Sequence, residues 1–359
     1  MAIPSLLPVV SRAFQKFRRY KSLEDSAEKT VTVEPPETMR LPEALYLSDQ
    51  LDDVTGTHGM AVSLADELEQ TVAPNLRNIE TRAYFIRNAV IGYNRISSWS
   101  GFKDLSLRYA RSRPMRITEE LDAAALCSSW QGNDYFAHFL VDDAATHALA
   151  QEFAKPIFST MDTPRTSQCV EYLARFGFEY SEKNQVSVRE LWFFQDFSLG
   201  PDKRRRLQKM AANVKAATLG SRPRPGAFIR RGVRGQVRCL DNAAEIEAWC
   251  ISQGFVVIDP EYQSLDEICG ALKDVPIVIG VEGSHLVHGL FSMAERGIII
   301  CIQPADRFNV IFRHLCAALN LQWGFVVAKG TVNGFHLELD KLKATLELFQ
   351  KRTHSGLWI

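Results

Sequence analysis

Over residues 275–320 the chain reads VPIVIGVEGSHLVHGLFSMAERGIIICIQPADRFNVIFRHLCAALN, an apolar strand that ends in glycines and opens directly into a helical pattern. No other stretch limits the fold as strongly. Backbone N–H groups at a helix start have no partner inside the helix and carry the positive end of its dipole, so an anion placed there is both hydrogen-bonded and attracted. A second apolar strand at 298–303 and a helix from about Arg307 to Leu319 follow at the rhythm of an α/β nucleotide-binding domain. The segment therefore predicts a protein with a nucleotide ligand.

With 359 residues the chain exceeds the roughly 250–300 residues at which single cores stop growing, so two domains are expected. Residues 23–40 are polar and acidic, contain Pro35 and Pro36, and read as a linker or loop. Strand patterns follow at 82–99, 124–130, 156–161 and 186–194, with helices from Tyr135 and over 165–176, the latter stopped by Gly177. A charged helix over 201–217 leads to GSRPRPG at 220–226, which reads as a hinge. Beyond it, strands at 227–231, 255–258, 275–280, 298–303 and 323–328 alternate with helices, one opened by the Ser264–Glu267 capping box. The expected organisation is a basic N-terminal segment and linker (1–40), an N-terminal α/β domain (41–219) and a C-terminal α/β domain that carries the nucleotide-binding junction (220–359).

Lys+Arg and Asp+Glu are equal at 42 each, so no global field draws the protein to nucleic acid. Seven cysteines without CxxC spacing suggest neither a zinc site nor a disulfide framework, and a cytoplasmic location is the default. No apolar run is long enough to span a bilayer. Near the N-terminus, Arg12, Lys16, Arg18, Arg19 and Lys21 lie on one face of a helical pattern and Val10, Phe14 and Phe17 on another. Such a helix suits peripheral contact with anionic membrane, and equally suits packing on its own protein.

Three elements, in the same order, resemble glycosyltransferase family 61. GNDYFAHFLVDD at 132–143 is similar to the family's N-Y-F-H-x-x-x-D/E element. The segment FIRRGVRGQVRCLDNAAEIEAWCISQGFVVIDPEYQSLDEIC at 228–269 is similar to its arginine segment followed by a strand ending in D/P-E. VIGVEGSHLVHGLF at 278–291 is similar to its V-x-G-x-x-G-A-G-L-x-N-x-x-F, although Glu282 to His288 replace the usual His-Gly-Ala-Gly-Leu-Thr-Asn and Asn242-Ala243 stands for Asn-Glu. The resemblance implies a GT-B-like α/β fold, with two Rossmann-like domains facing a central cleft. It further implies an inverting, metal-independent transfer of sugar from a nucleotide-sugar substrate to a glycan or lipid-linked saccharide, as in bacterial capsule and lipopolysaccharide synthesis, with no separate cofactor.

Inverting transfer needs a base for the acceptor hydroxyl and cationic or N–H groups for the departing diphosphate. His138 and Asp142 lie four residues apart on a predicted helix, within mutual reach. Either Asp142 is the base, as the resemblance favours, or it orients His138, which is; Asp143 is the alternative acid. The same three residues also suit a purely structural helix start. For the nucleotide sugar the candidates are Arg230, Arg231, Arg234 and Arg238 after a strand end, Asn242, and the turn residues Glu282, Gly283, Ser284, His285 and His288. The basic run 203–206 reads as a solvated face. No metal ligand set is expected, since D-x-D is absent. A non-catalytic nucleotide- or glycan-binding module of the same fold is the alternative function.

Overall fold

The computed structural model describes residues 3–17, 22–57, 62–108, 111, 113–160, 165–220, 222, 224–232 and 238–354. Two compact units emerge, one made of residues 1–37 and 78–210, the other of 38–77 and 211–359. The fold is mixed α/β, as expected.

The first unit is built on an eight-stranded sheet. Its strands are β1 (Lys29–Glu34), β2 (Thr81–Gly92), β3 (Arg95–Ser98), β4 (Gly101–Asp104), β5 (Glu119–Leu126), β6 (Pro156–Ser159), β7 (Glu182–Lys183) and β8 (Val186–Gln195). Their order is β7-β6-β5-β8-β2-β3-β4, with β1 also pairing with β2. One half, β7-β6-β5-β8, is parallel. The other half is antiparallel, and its β2-β3 hairpin turns through Tyr93 and Asn94, both at positive φ, the turn whose twist suits paired strands. Central strand β8 aligns Leu191 with Ile86 of β2 and Ala124 of β5, and these side chains join the unit's apolar core. The helix Ser167–Phe176 ends at Gly177, whose φ of 83° lies in the left-handed region glycine favours.

Residues 23–40 are not a linker. Lys29–Glu34 pairs antiparallel with β2, placing Lys29 opposite Phe85, while Pro35 and Pro36 merely separate it from the strand Glu37–Arg40. At the N-terminus the helix spans Leu7–Phe17. The side chains of Phe14, Lys16 and Phe17, and all of Arg18, Arg19 and Lys21, lie outside the described residues, as does Arg234.

In the second unit β9 (Ala227–Ile229), β10 (Val256–Ile258), β11 (Ile277–Val281), β12 (Ile298–Pro304) and β13 (Gln322–Gly330) run parallel in the order β10-β9-β11-β12-β13, and β14 (Phe335–His336) adds an antiparallel edge. This is the 2-1-3-4-5 order of a doubly wound sheet, whose chain direction reverses between β9 and β11. Every residue of β11 and β12 is buried, which is why both read as unbroken apolar runs. Ser264 and Glu267 form the expected capping box.

Residues 38–77 group with this unit, whereas the sequence reading gave 41–77 to the first domain. Leu45, fully buried, exchanges backbone hydrogen bonds with Trp323 and Phe325, Tyr46 stacks on Phe325 at 4.8 Å, and the Arg313 guanidinium donates to the carbonyls of Pro42 and Ala73. The division falls between Met210 and Ala211, inside the helix Pro201–Ala217, and not at the glycines near 220. Among the described residues no helix is long and apolar enough to cross a membrane.

Candidate active site

In the first unit, β5 delivers the chain to Ser129, which caps the short helix Trp130–Asp134 by accepting from the Gly132 N–H at 2.9 Å. Tyr135 is extended (φ −138°, ψ 131°) and breaks that helix. Helix resumes at Phe136–His138, widens into a π-helical turn over Phe139–Asp143 and continues as Ala144–Ala150. Such turns are rare and cluster at functional sites.

Here His138 Nδ1 lies 2.7 Å from Asp142 Oδ2, and Lys203 Nζ donates to Asp142 Oδ1 at 2.5 Å and to the Asp196 carbonyl at 2.5 Å. Both carboxylate oxygens of Asp142 are thus engaged. Burial pushes the Asp142 pKa up, but the Lys203 charge and the His138 hydrogen bond outweigh it and hold the carboxyl below its ordinary value. For His138 burial acts downward, and the Asp142 carboxylate more than reverses it, leaving the imidazole raised. A charged carboxylate against Nδ1 keeps the proton on Nδ1 and the lone pair on Nε2. The His138 side chain stays 32% exposed.

Asp143 faces other partners. Its Oδ1 accepts from the Ser129 amide at 3.0 Å and hydroxyl at 2.6 Å, and Oδ2, unpartnered among the described residues, packs where a Cβ on Gly132 would sit. Burial raises its pKa to about 7, against the lowering effect of Ser129 and of Arg165. A carboxyl whose folded pKa is raised contributes fully below its unfolded value of 3.8 and loses that contribution as pH rises through 7. The whole shift corresponds to about 4 kcal/mol. Asp143→Asn, which keeps the acceptor for Ser129, is expected to match the wild type near pH 4 and to exceed it by up to about 4 kcal/mol at pH 8. Denaturant unfolding at both pH values checks this; an unchanged difference across the range would mean that the group does not titrate there.

The basic run 203–206 is not a solvated face. Lys203 is fully buried, Arg204 bonds Glu37, and Arg206 bonds the carboxylates of Asp196 and Asp202; Arg205 alone is largely exposed. Buried Lys203, Leu207, Met210 and Val214 recur at helical spacing, so Lys203 sits on the inward stripe. That periodicity was the available signal.

In the second unit the expected strand-to-helix junction is present, but the helix is brief: β11 passes through Glu282 and Gly283 into a 3-10 turn (Ser284–Leu286) and the helix Val287–Ser292. So short a helix has little dipole, and the positive charge comes from side chains instead. Arg231, just beyond β9, donates to the Glu282 carbonyl at 3.3 Å and to His285 Nδ1 at 3.4 Å. Arg238 pairs with the Glu282 carboxylate and also donates to its carbonyl. Gly283, at φ 152°, makes this approach possible, since a Cβ there would lie 1.8 Å from Arg231 Nη1 and 3.0 Å from Arg238 Nη1. Arg307, beyond β12, adds a third cation close enough to act on both.

Burial and the neighbouring Arg238 push Arg231 down to about 10, and Arg238 is lowered by burial and by Arg307 despite Glu282. These guanidinium groups converge at the carboxyl ends of β9 and β11, where the sheet reverses direction and doubly wound folds bind their ligands. Crowded like charges of this kind favour an anion between them.

The other candidates are placed differently. Arg230 is engaged by Glu247 at 2.7 Å and approaches Asp259 at 3.5 Å. Asn242 clamps Leu337, donating to its carbonyl and accepting from its amide. Glu282 is buried against Arg238. His285 is half-buried beside Arg231, with its pKa driven well below the ordinary value by burial and the adjacent arginine, while Ser284 is half-buried at the turn. His288 is 1% exposed, and burial pushes it down to about 3, so it stays neutral in the core. Arg307 was missed, because a lone arginine after a strand carries no pattern. Among the described residues no group of three or more His, Cys, Asp or Glu side chains converges as a metal site.

The Glycosyltransferase 61 family model matches residues 136–300. This segment belongs to glycosyltransferase family 61. It contains both the His138–Asp142 pair and the Glu282–Gly283 turn, so the coarse activity is that of a glycosyltransferase, with a nucleotide sugar and a glycan as its general substrates. No curated protein matches the chain.

Proposed function

We propose that this family 61 protein is an inverting, metal-independent transferase that moves a sugar from a nucleotide-sugar donor to a hydroxyl of a glycan or lipid-linked saccharide in cell-surface polysaccharide synthesis. The observation that carries the reading is the convergence of Arg231 and Arg238 on Gly283, with Arg307 near enough to act on both, at the reversal point of a parallel sheet. A donor's diphosphate adds negative charge where these cations meet, and guanidinium forks match its oxygens. The arginines stabilise negative charge on the leaving nucleoside diphosphate, the task a divalent ion performs elsewhere.

His138 is the better base. Asp142 has both oxygens occupied and a depressed pKa, whereas His138 presents a lone pair on Nε2 and titrates above its ordinary 6.5. Nε2 takes the acceptor proton as the acceptor oxygen bonds the anomeric carbon. The bond from that carbon to the diphosphate oxygen breaks, its electron pair leaves with the diphosphate, and the configuration inverts.

Incubation with UDP-, GDP- and CMP-sugars, with and without saccharide acceptors, tests the reading. Acceptor-dependent release of nucleotide from one donor is expected. Binding that stabilises the protein with no release from any donor would instead identify a nucleotide- or glycan-binding module.

A further inference from the structure

Lys203 lies on the helix Pro201–Ala217, among the buried residues Leu207, Met210 and Val214, and its ammonium is fully enclosed. An isolated ammonium is expensive to bury, so its position requires compensation. That compensation is Asp142 Oδ1 and the Asp196 carbonyl, each at 2.5 Å. The Asp196 carboxylate is itself occupied by Arg206 and by Thr146 Oγ1, so Lys203 reaches only that residue's backbone.

We propose that Lys203 is a positioning residue of the transferase centre: its ammonium fixes the charge and rotamer of Asp142 and thereby the tautomer and orientation of His138. This rests on the reading of His138 as base. A carboxyl as enclosed as Asp142 would otherwise share a proton with the imidazole, forming a neutral Asp–His pair in place of a charged one. Such a pair has its proton-accepting capacity already filled. With Lys203 present, the extra proton is expelled at lower pH and Nε2 is free to accept.

The remaining groups around the centre do not substitute for it. Asp143 is held by Ser129 and has Arg165 as its electrostatic neighbour, Arg206 is committed to Asp196 and Asp202, and Arg108 lies over the Tyr135 ring at 5.7 Å. Among the described residues Lys203 and His138 are the side chains that bond the Asp142 carboxylate.

Two variants separate charge from packing. Lys203→Met removes the ammonium, and Lys203→Gln removes its charge while retaining a donor. Both are expected to move the acid limb of the kcat/KM profile upward by about one pH unit or more, with activity partly regained at alkaline pH. Histidine imidazole 15N resonances assigned to His138 should show the same upward displacement, with Nδ1 protonated in the wild type at pH 8. An unmoved limb and resonance in a folded variant would reduce Lys203 to a packing role. Should neither variant fold, the wild-type spectrum decides: an unprotonated Nδ1 at pH 8 overturns the proposal. Correct His138 titration without sugar transfer would instead sink the transferase reading and leave the Lys203 assignment standing.

Discussion

Replacing His138 by alanine is expected to lower kcat by about 10³-fold, within the range a positioned general base contributes, while binding of the nucleotide sugar persists. The base acts only on the chemical step, so donor affinity measured by calorimetry should change little. Asp142→Asn is expected to be nearly as damaging for a different reason. An asparagine amide turned toward Nδ1 donates where the carboxylate accepted, which puts the imidazole proton on Nε2 and removes the lone pair that faces the acceptor; in the serine-protease triad the same exchange costs about 10⁴-fold. The pH profile carries an independent signature. Because Asp142 raises the His138 pKa, the wild-type rate should climb with pH through a value above 6.5 and then level. In Asp142→Asn the residual limb should fall to lower pH, the loss of a neighbouring anion making the imidazole easier to deprotonate. Full activity in His138→Ala would move the base elsewhere on the chain.

Much of the architecture was legible because the second unit's strands are buried on both faces and so write themselves as uninterrupted apolar runs, as Ile298–Pro304 does. Local chemistry also carried through: Ser264 with Glu267 opened its helix, and Gly177 closed another. Non-local pairing was hidden. Nothing in the composition of 23–40 distinguishes a loop from a strand that acquires its partners only from residues 81–85, and nothing near Leu45 announces that its backbone pairs beside Gly324. The site divides along the same line. His138 and Asp142 were readable, since four residues on a helix bring two side chains together whatever surrounds them. Arg230 was not separable from Arg231 by sequence, because what removes it is Glu247, an acid brought close by the fold. Lys203 was obscured by the arginines that follow it, although its apolar companions one turn apart marked the inward face.

Removing Arg231 is expected to have opposite effects on the empty and the loaded protein. Burial and Arg238 press its pKa down to about 10, so in the empty site its charge is held against repulsion. Because the side chain is partly exposed, solvent screens much of that cost, and Arg231→Met should stabilise the ligand-free protein by only about 1 kcal/mol. With nucleoside diphosphate bound, the missing fork forfeits charge-assisted hydrogen bonds worth about 2–3 kcal/mol, a weakening of about 30- to 100-fold. A nucleoside without phosphates should bind both proteins equally, which assigns the loss to the phosphate end of the ligand. Arg238 is a poorer choice for the test, since its removal strands the buried Glu282 carboxylate and threatens the fold. Gly283→Ala probes the same contact from the backbone side: its Cβ would fall 1.8 Å from Arg231 Nη1, so the guanidinium must swing away, and phosphate affinity should drop with no charge removed. Thermal unfolding with and without nucleoside diphosphate reads all of this together. If Arg231→Met lowers the melting temperature of the empty protein and leaves the ligand-induced increment intact, the arginine group is a structural brace and the diphosphate binds elsewhere.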